Sequence, residues 1–461
     1  MKIINAEDLT DDFFEPREMG DAQEVAKSII DNVRKNGDAA LKEFSEKFDQ
    51  AAPATLEISE SDMKAAADAL KKDNPDLYKA LEFSAKLALK FAKRQAQSFE
   101  DFEMEIEPGL FTGQKTIPVS RAGIYVPAGR FPLISTVIMT TSPAIAAGVK
   151  DIVFCTPPRI HPDDLTAAQT ERKANKPGDR PRAFVGGKPY ADSNILATAY
   201  ICGLRKAYAV GGAQAIAAMA YGTETIPSVD VIAGPGNKYV ADAKKQVYGK
   251  VGIDLLAGPT EVFVIADSTA NPEWVAADLL AQAEHDVVAQ PVMATTDREL
   301  AAKVSAEIDK QLKTLSTAEN ARQSIDNCGV IIITKTIEEA AELANRKAPE
   351  HLELAMEAGA TRDKIQNMVH NYGSLFIGHE VAEVFGDYAA GLNHTLPTSG
   401  AARFTGGLSV RCFLKTCTTL RAETNADGSK KSGPKMSAQA SVLMGKAEGL
   451  AAHAEAAHKR Q

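Results

Sequence analysis

The sequence predicts an α/β protein built from two sets of strand–helix units, and three observations carry that prediction. From about Gly113 onward, short apolar and β-branched runs alternate with stretches of helical periodicity, the pattern of a parallel or mixed sheet. Two strand–glycine–helix units stand in tandem: a strand at 206–210, then Gly211-Gly212 and a helix at 213–221; a strand at 229–233, then Gly234-Pro235-Gly236-Asn237 and a helix at 238–248. Residues 1–105 instead carry helix formers at helical spacing in 22–36, 38–48, 61–72 and 76–99, and read as a packing layer. The expected architecture is two Rossmann-like α/β domains with a helical N-terminal layer and an extended C-terminal arm.

The remaining elements follow in order. Residues 121–126 form a strand ending in Pro127-Ala128-Gly129. A helix is expected at 135–147, where Pro143 can kink it, and a strand at 151–155. The polar segment 157–189 is long for such a connection and reads as a surface insertion. Its basic clusters at 171–173, 177–182 and Lys188 suit a solvated loop, or contact with a partner or an anionic ligand. The glycine turns suit a nucleotide, because glycine lets the backbone approach phosphate and helix N-termini favour anions. Neither turn is a full G-x-G-x-x-G. Gly258-Pro259 turns the chain into a strand at 261–266. Further on come a strand at 329–334, a helix at 337–346, the segment 348–354 and a strand at 373–378. Beyond Gly386-Asp387-Tyr388 the chain is loop-rich through Asn393-His394 and 397–400. A polar connector at 422–435 leads to a terminal helix pattern at 437–459, on which Glu448 and His453 can share one broad face.

Length and composition bound the function. A chain of 461 residues makes two or three domains the expectation. The net charge of −9 argues against a general nucleic-acid or anionic-membrane surface. Residues 1–8 have no apolar core like that of a signal peptide, and no run of about 18 apolar residues suggests a span. Cys155, Cys202, Cys328, Cys412 and Cys417 are odd in number, scattered and without a Cys-x-x-Cys pair. They fit reduced thiols in a cytoplasmic protein.

One predicted helix, 271–286, carries unusual chemistry. Asn271 can cap it and Pro272 suits its first position. Val275, Leu279 and Gln282 form one stripe, with His285 three residues on. A face that begins apolar and ends in Gln and His aims two lone-pair donors inward. Alone, the two read as a core pair, and Gln lies outside the usual zinc ligands.

Seven stretches, in order, resemble the histidinol dehydrogenases: Ile124-Tyr125-Val126-Pro127, Gly211-Gly212-Ala213-Gln214-Ala215-Ile216-Ala217-Ala218, Gly234-Pro235-Gly236-Asn237, residues 278–285, residues 348–352, Gly386-Asp387-Tyr388 and residues 448–453. The resemblance runs from about Gly113 to Lys459, apart from the insertion. It implies a zinc- and NAD-dependent enzyme of histidine biosynthesis that oxidises L-histidinol to L-histidine by two successive hydride transfers, through an aldehyde. The implied zinc ligands are Gln282, His285, Asp387 and His453. Tyr125, Gln214 and Asn237 would contact NAD, and Glu350 and His351 would be the acid–base pair. Substrate contacts would come from Thr260, Gln282, His285, His351, Glu383, Asp387, His394, Glu448 and His453. It also implies a homodimer in which the arm of one subunit, with Glu448 and His453, completes the other's site. The corresponding division is a metal and catalytic domain at 1–124 and 259–408, an NAD-binding domain at 125–258 with the insertion, and the arm at 409–461.

The residue types suit this chemistry. Zinc takes neutral imidazole and carboxylate lone pairs and acts as a Lewis acid. His351 can take the alcohol proton near neutral pH. By the same resemblance, Glu350 would activate the water that the second oxidation needs. Neighbours in a regular strand face opposite ways, so the pair requires an irregular segment. Pro349, which restricts Ala348 to extended geometry, makes a break there plausible. Some residues depart from the family pattern. Thr260 stands where many members have Ser, and Arg411-Cys412 occupies a stretch that is often acidic. The runs 402–408 and 413–416 resemble a related branch that oxidises sulfopropanediol to sulfolactate, and added positive charge there would suit an anionic alcohol. A non-catalytic zinc- or nucleotide-binding homologue is the remaining alternative.

Overall fold

Two six-stranded sheets organise the chain, as the strand–helix alternation predicts. The computed structural model describes residues 1–17, 21–128, 132–173 and 183–461. Gly129 and the basic cluster 177–182 lie outside these residues.

The first sheet is parallel throughout. Its order is Lys2–Asn5, Val330–Ile333, Gln290–Thr295, Glu261–Ala266, His351–Ala355 and Ser374–Ile377. All six residues of Glu261–Ala266 are buried, as expected for a central strand covered on both faces. Val262 and Val264 pack with Val275, Leu279 and Leu280, while Phe263 and Ile265 pack with Ala340, Ala344 and Leu352 on the opposite face. Full burial of a side chain such as Leu279 contributes roughly 2 kcal/mol.

The second sheet runs Gly252–Ile253, Val231–Ala233, Arg121–Tyr125, Asp151–Thr156, Ala207–Ala209 and Glu57–Ile58. Only the last pairing in it is antiparallel. The helices Gly212–Tyr221 and Lys238–Val247 start directly after the two glycine turns.

Several sequence expectations need correction. The N-terminal layer is not wholly helical, since Lys2–Asn5 and Glu57–Ile58 each join a sheet. The two helices expected on either side of Gly37 are present within Gln23–Phe48, where Gly37, at φ 51, is non-helical and separates them. The polar segment after Pro157 is partly built into the fold. It forms the helix Leu165–Lys173, buries His161 and Ala168, and sends Phe184–Val185 to pair with Ala51–Ala52. A three-stranded antiparallel sheet was not expected: Leu414–Ala422 pairs with Leu110–Pro118, which pairs with Phe102–Glu107. It carries the helices Ser432–Ala447 and Ala451–His458. The terminal helix pattern is therefore two helices, separated by Gly449 at φ 74, so Glu448 and His453 do not share one face.

Candidate active site

The helix Pro272–Ala283 delivers the first site residue. Asn271 caps it, its side chain accepting from the Glu273 N–H at 2.9 Å, and Pro272 fills the first turn. Its apolar stripe anchors it on the first sheet, and Gln282 ends that stripe fully buried. The helix stops at Ala283, two residues before His285, so the expected helix to residue 286 is too long. His285 instead stands on the turn beyond the helix. Its ring has a solvent-facing side, but close packing on its protein side lowers its pKa and favours neutral imidazole.

Glu350 and His351 sit together because the backbone is irregular just before the strand His351–Ala355. Ala348 ends the helix Ile337–Lys347 with φ 53 and ψ 62, a left-handed conformation rather than the extended one expected before proline. The strand begins only at His351, which leaves Glu350 outside the pleat. The side chains then meet through a continuous chain of hydrogen bonds. His351 Nδ1 lies 2.8 Å from Gln282 Oε1 and 3.1 Å from the Glu261 carbonyl. Gln282 Nε2 donates to Thr260 Oγ1 at 2.6 Å. Thr260 Oγ1 donates to Glu350 Oε2 at 2.5 Å, and the Glu261 N–H donates to the same oxygen at 3.1 Å.

This chain fixes a tautomer. Both partners of His351 Nδ1 are acceptors only, so Nδ1 must carry the hydrogen. The lone pair is left on Nε2, which is buried and without a hydrogen-bond partner. Burial, then His394 and His285, lowers the His351 pKa well below the ordinary histidine value. Burial pushes Glu350 up to about 8, against the two donors that favour its ionised form. One member is therefore a free imidazole base and the other a carboxyl poised near neutrality.

Glu261 holds the frame of this chain. It is a buried charge at the start of an otherwise apolar strand, 3.4 Å from Lys347, which is equally buried. Its other oxygen accepts from the Ser399 N–H. Lys347 also donates to the Phe13 carbonyl at 3.2 Å. Sequence reasoning passed over Glu261, although a charge opening an apolar strand is itself a signal.

Around His351 lies a compact set of unsatisfied groups. Ligand-capable atoms of His351, Glu383 and His394 all lie within 4.8 Å of one another, and all three residues are buried. Both Glu383 oxygens and both His394 nitrogens lack hydrogen-bond partners. The His351 and His394 rings meet edge to face, centroids 4.2 Å apart. His394 Nδ1 is 3.4 Å from Asp387 Oδ1. Burial pushes His394 down to about 3 and Asp387 up to about 7. Burial, with Asp387, Asp278 and Glu350 nearby, raises Glu383 well above the ordinary carboxylate value.

The second sheet contributes a cleft of about 930 Å³. Tyr125, Gln214, Asn237 and His285 all line it, and His285 also lies near enough to His351 and His394 to help lower their pKa values. The Tyr125 hydroxyl accepts from the Gly212 N–H at 3.1 Å. Asn237 caps the helix Lys238–Val247 by accepting from Tyr239 and Val240 N–H groups. Gly234, at φ 130, is obligatory, because a Cβ there would come within 2.0 Å of the Tyr125 carbonyl. A buried pair clamps this loop: Lys244 donates to the Gly234 carbonyl at 2.9 Å and to Asp254, which accepts from the Gly234 N–H at 2.8 Å.

Glu448 and His453 are not brought to this cluster. Both are exposed, Glu448 at the end of Ser432–Ala447 and His453 on Ala451–His458, and these two helices pack on each other.

A family model described as histidinol dehydrogenase matches residues 15–173 and 185–461. The chain belongs to the histidinol dehydrogenase family. It is an oxidoreductase of that type. It is 42% identical over 441 residues to a histidinol dehydrogenase of Streptococcus mutans, covering 95% of this chain and 93% of that one. A relative of the same name from Thermus thermophilus is 39% identical over 440 residues, with 95% and 94% covered. The crystal structure of histidinol dehydrogenase from Elizabethkingia anophelis superposes with a TM-score of 0.85 at 33% identity, covering 100% of this chain and 98% of that one. Between residues 15 and 461 the family match passes over only residues 174–184, a shorter departure than the insertion the sequence suggested. Among the described residues, no helix is long and apolar enough to cross a membrane.

Proposed function

We propose that the protein oxidises L-histidinol to L-histidine through an aldehyde, in a zinc- and NAD-dependent four-electron reaction. The observation that carries this reading is the directed hydrogen-bond chain from His351 to Glu350, beside a cleft whose lining residue His285 lies near His351. The donor set fits zinc: His285 is held neutral, Asp387 offers a carboxylate and Gln282 an amide oxygen. The cleft fits a dinucleotide, with two helix N-termini and a glycine loop that no Cβ could enter. When bound, NAD accepts hydride in each oxidation, and zinc polarises the alcohol oxygen.

The chain's own residues supply the proton chemistry. Nε2 of His351 takes the alcohol proton, because Nδ1 is tied to Gln282 and Glu261. Glu350, once ionised, removes a proton from the water that adds to the aldehyde. Tyr125, Gln214 and Asn237 contact the dinucleotide. Thr260, Glu383 and His394, together with the zinc-bearing residues and His351, hold the substrate. Glu350, Glu383 and Asp387 surround the cluster with acids, while Lys347 is committed to Glu261. That balance favours an alcohol carrying an amine over a sulfonate. The basic residues that suggested an anionic substrate are exposed, and Arg403 donates to the Gly400 and Arg346 carbonyls.

His453 would complete the zinc set, with Glu448 on the substrate, from the arm of a second subunit. In support, both lie exposed on an arm that also presents Leu420, Met436, Leu443 and Met444 to solvent.

The test is zinc-dependent NAD reduction with L-histidinol and, separately, with sulfopropanediol. Turnover of histidinol alone supports the reading, and turnover of the sulfonate alone overturns the substrate. An NAD- and zinc-loaded protein inert toward both would point to the non-catalytic alternative. Substituting His285→Ala should remove bound zinc, measured by metal analysis, together with activity. Full zinc occupancy with normal turnover would refute the ligand role.

A further inference from the structure

Asp49 brings a carboxylate from the N-terminal helical layer into the cofactor cleft. It closes the helix Gln23–Phe48, its N–H donating to the Ser45 carbonyl at 3.0 Å. That helix packs against both Gly212–Tyr221 and Lys238–Val247, so its end meets the cleft they open. Asp49 lines this cleft with Tyr125, Gln214, Pro235 and Asn237. Its Oδ2 is shut off from solvent and has no hydrogen-bond partner. Burial pushes its carboxyl up to about 7, with the Ser45 side chain and then Arg159 opposing the shift. Arg159 shares the cleft wall, but its guanidinium donates to the Pro158 carbonyl at 3.3 Å and to the Ala128 carbonyl.

A buried acceptor without a donor is costly, and a fold keeps one where a ligand supplies the donor. A nicotinamide dinucleotide is rich in acceptors. Its ribose hydroxyls are neighbouring donors, and a carboxylate is the group that dinucleotide sites commonly set against them.

Resting on the reading of this cleft as the dinucleotide site, we propose that Asp49 accepts hydrogen bonds from the adenosine ribose hydroxyls and so selects NAD over NADP. The additional 2′-phosphate of NADP would place a dianion against the carboxylate.

Calorimetric titration of the whole protein with NAD⁺ and NADP⁺ tests this without turnover. Wild type should favour NAD⁺ by about 100-fold or more, the scale of a like-charge juxtaposition. Asp49→Asn keeps the side-chain shape. It should bind NAD⁺ about tenfold more weakly, as expected for loss of a charge-assisted bond, and the preference should narrow to less than about tenfold. The ratio between the two cofactors is the deciding readout, because a partial folding defect weakens both alike. Asp49→Ser, compared in the same way, covers the case in which the Asn variant folds poorly. Binding of NAD⁺ by wild type with an unchanged ratio in both variants overturns the role of Asp49 and leaves the cleft reading intact. Wild type that binds neither cofactor overturns the cleft reading, and the Asp49 proposal with it.

Discussion

The cleft on the second sheet and the His351–Glu350 cluster meet at His285 but are held by opposite means. The cleft is shaped by backbone: Gly234 sits where a Cβ would strike the Tyr125 carbonyl, and the buried Lys244–Asp254 pair clamps the loop from behind. The cluster is shaped by side chains, with His351, Gln282, Thr260 and Glu350 linked donor to acceptor. The first region should tolerate changes of polarity and fail on added volume. The second should tolerate small changes of volume and fail on a reversed donor or acceptor.

The largest effect is expected at His351, the end of the chain with a free ring nitrogen. His351→Asn should lower kcat by about 10²–10⁴-fold, the usual worth of a general base, with little change in melting temperature or cofactor affinity. A variant within a few-fold of wild type would remove His351 from the proton path.

Next comes the backbone side. Gly234→Ala should cost about 3 kcal/mol or more and abolish NAD binding, because the methyl must displace main chain at a φ that L residues rarely adopt. Denaturant unfolding and calorimetry measure the two losses. A stable variant with normal binding would show that the loop yields more readily than its contacts suggest.

Both halves of this comparison were partly legible in the sequence, for different reasons. Glycine turns between strand and helix patterns announce a close backbone approach locally, so the cleft could be anticipated from Gly211-Gly212 and Gly234-Pro235-Gly236. The cluster joins residues 260, 282 and 350, and nothing local in the chain marks them as neighbours; the family resemblance supplied that link. The conformation of Ala348 was misjudged because the restriction that proline imposes was overridden by the end of a helix, where a left-handed residue satisfies the last turn. The antiparallel arm sheet was missed because Leu414–Ala422 lies roughly 300 residues from the hairpin it joins, and because the strict alternation of Phe102–Glu107 presents no buried face: every residue of that strand is exposed. Asp49 was passed over because a polar residue after a helix reads as a simple terminus until the fold turns that terminus toward the cleft.

The smallest effect should come from the middle of the chain. Thr260→Val keeps volume and removes one hydroxyl that both accepts and donates. It should slow the aldehyde-to-acid half by about tenfold, of the order of one lost buried hydrogen bond, and the alcohol half by less. Equal slowing of both halves would mean that Thr260 serves the substrate rather than the relay.

The central claim is that His351 and Glu350 have separate tasks although they are adjacent. The half-reactions of Glu350→Gln, supplied in turn with the alcohol and the aldehyde across pH, test it most directly. With Glu350 held up near 8 by burial, the wild-type aldehyde half should accelerate as pH climbs through about 8, because a base works only when ionised. Glu350→Gln should lose that limb and most of the aldehyde rate while retaining the alcohol half, whose base, His351, burial keeps neutral. Equal losses in both halves, or a pH limb that survives the substitution, would contradict the division of labour.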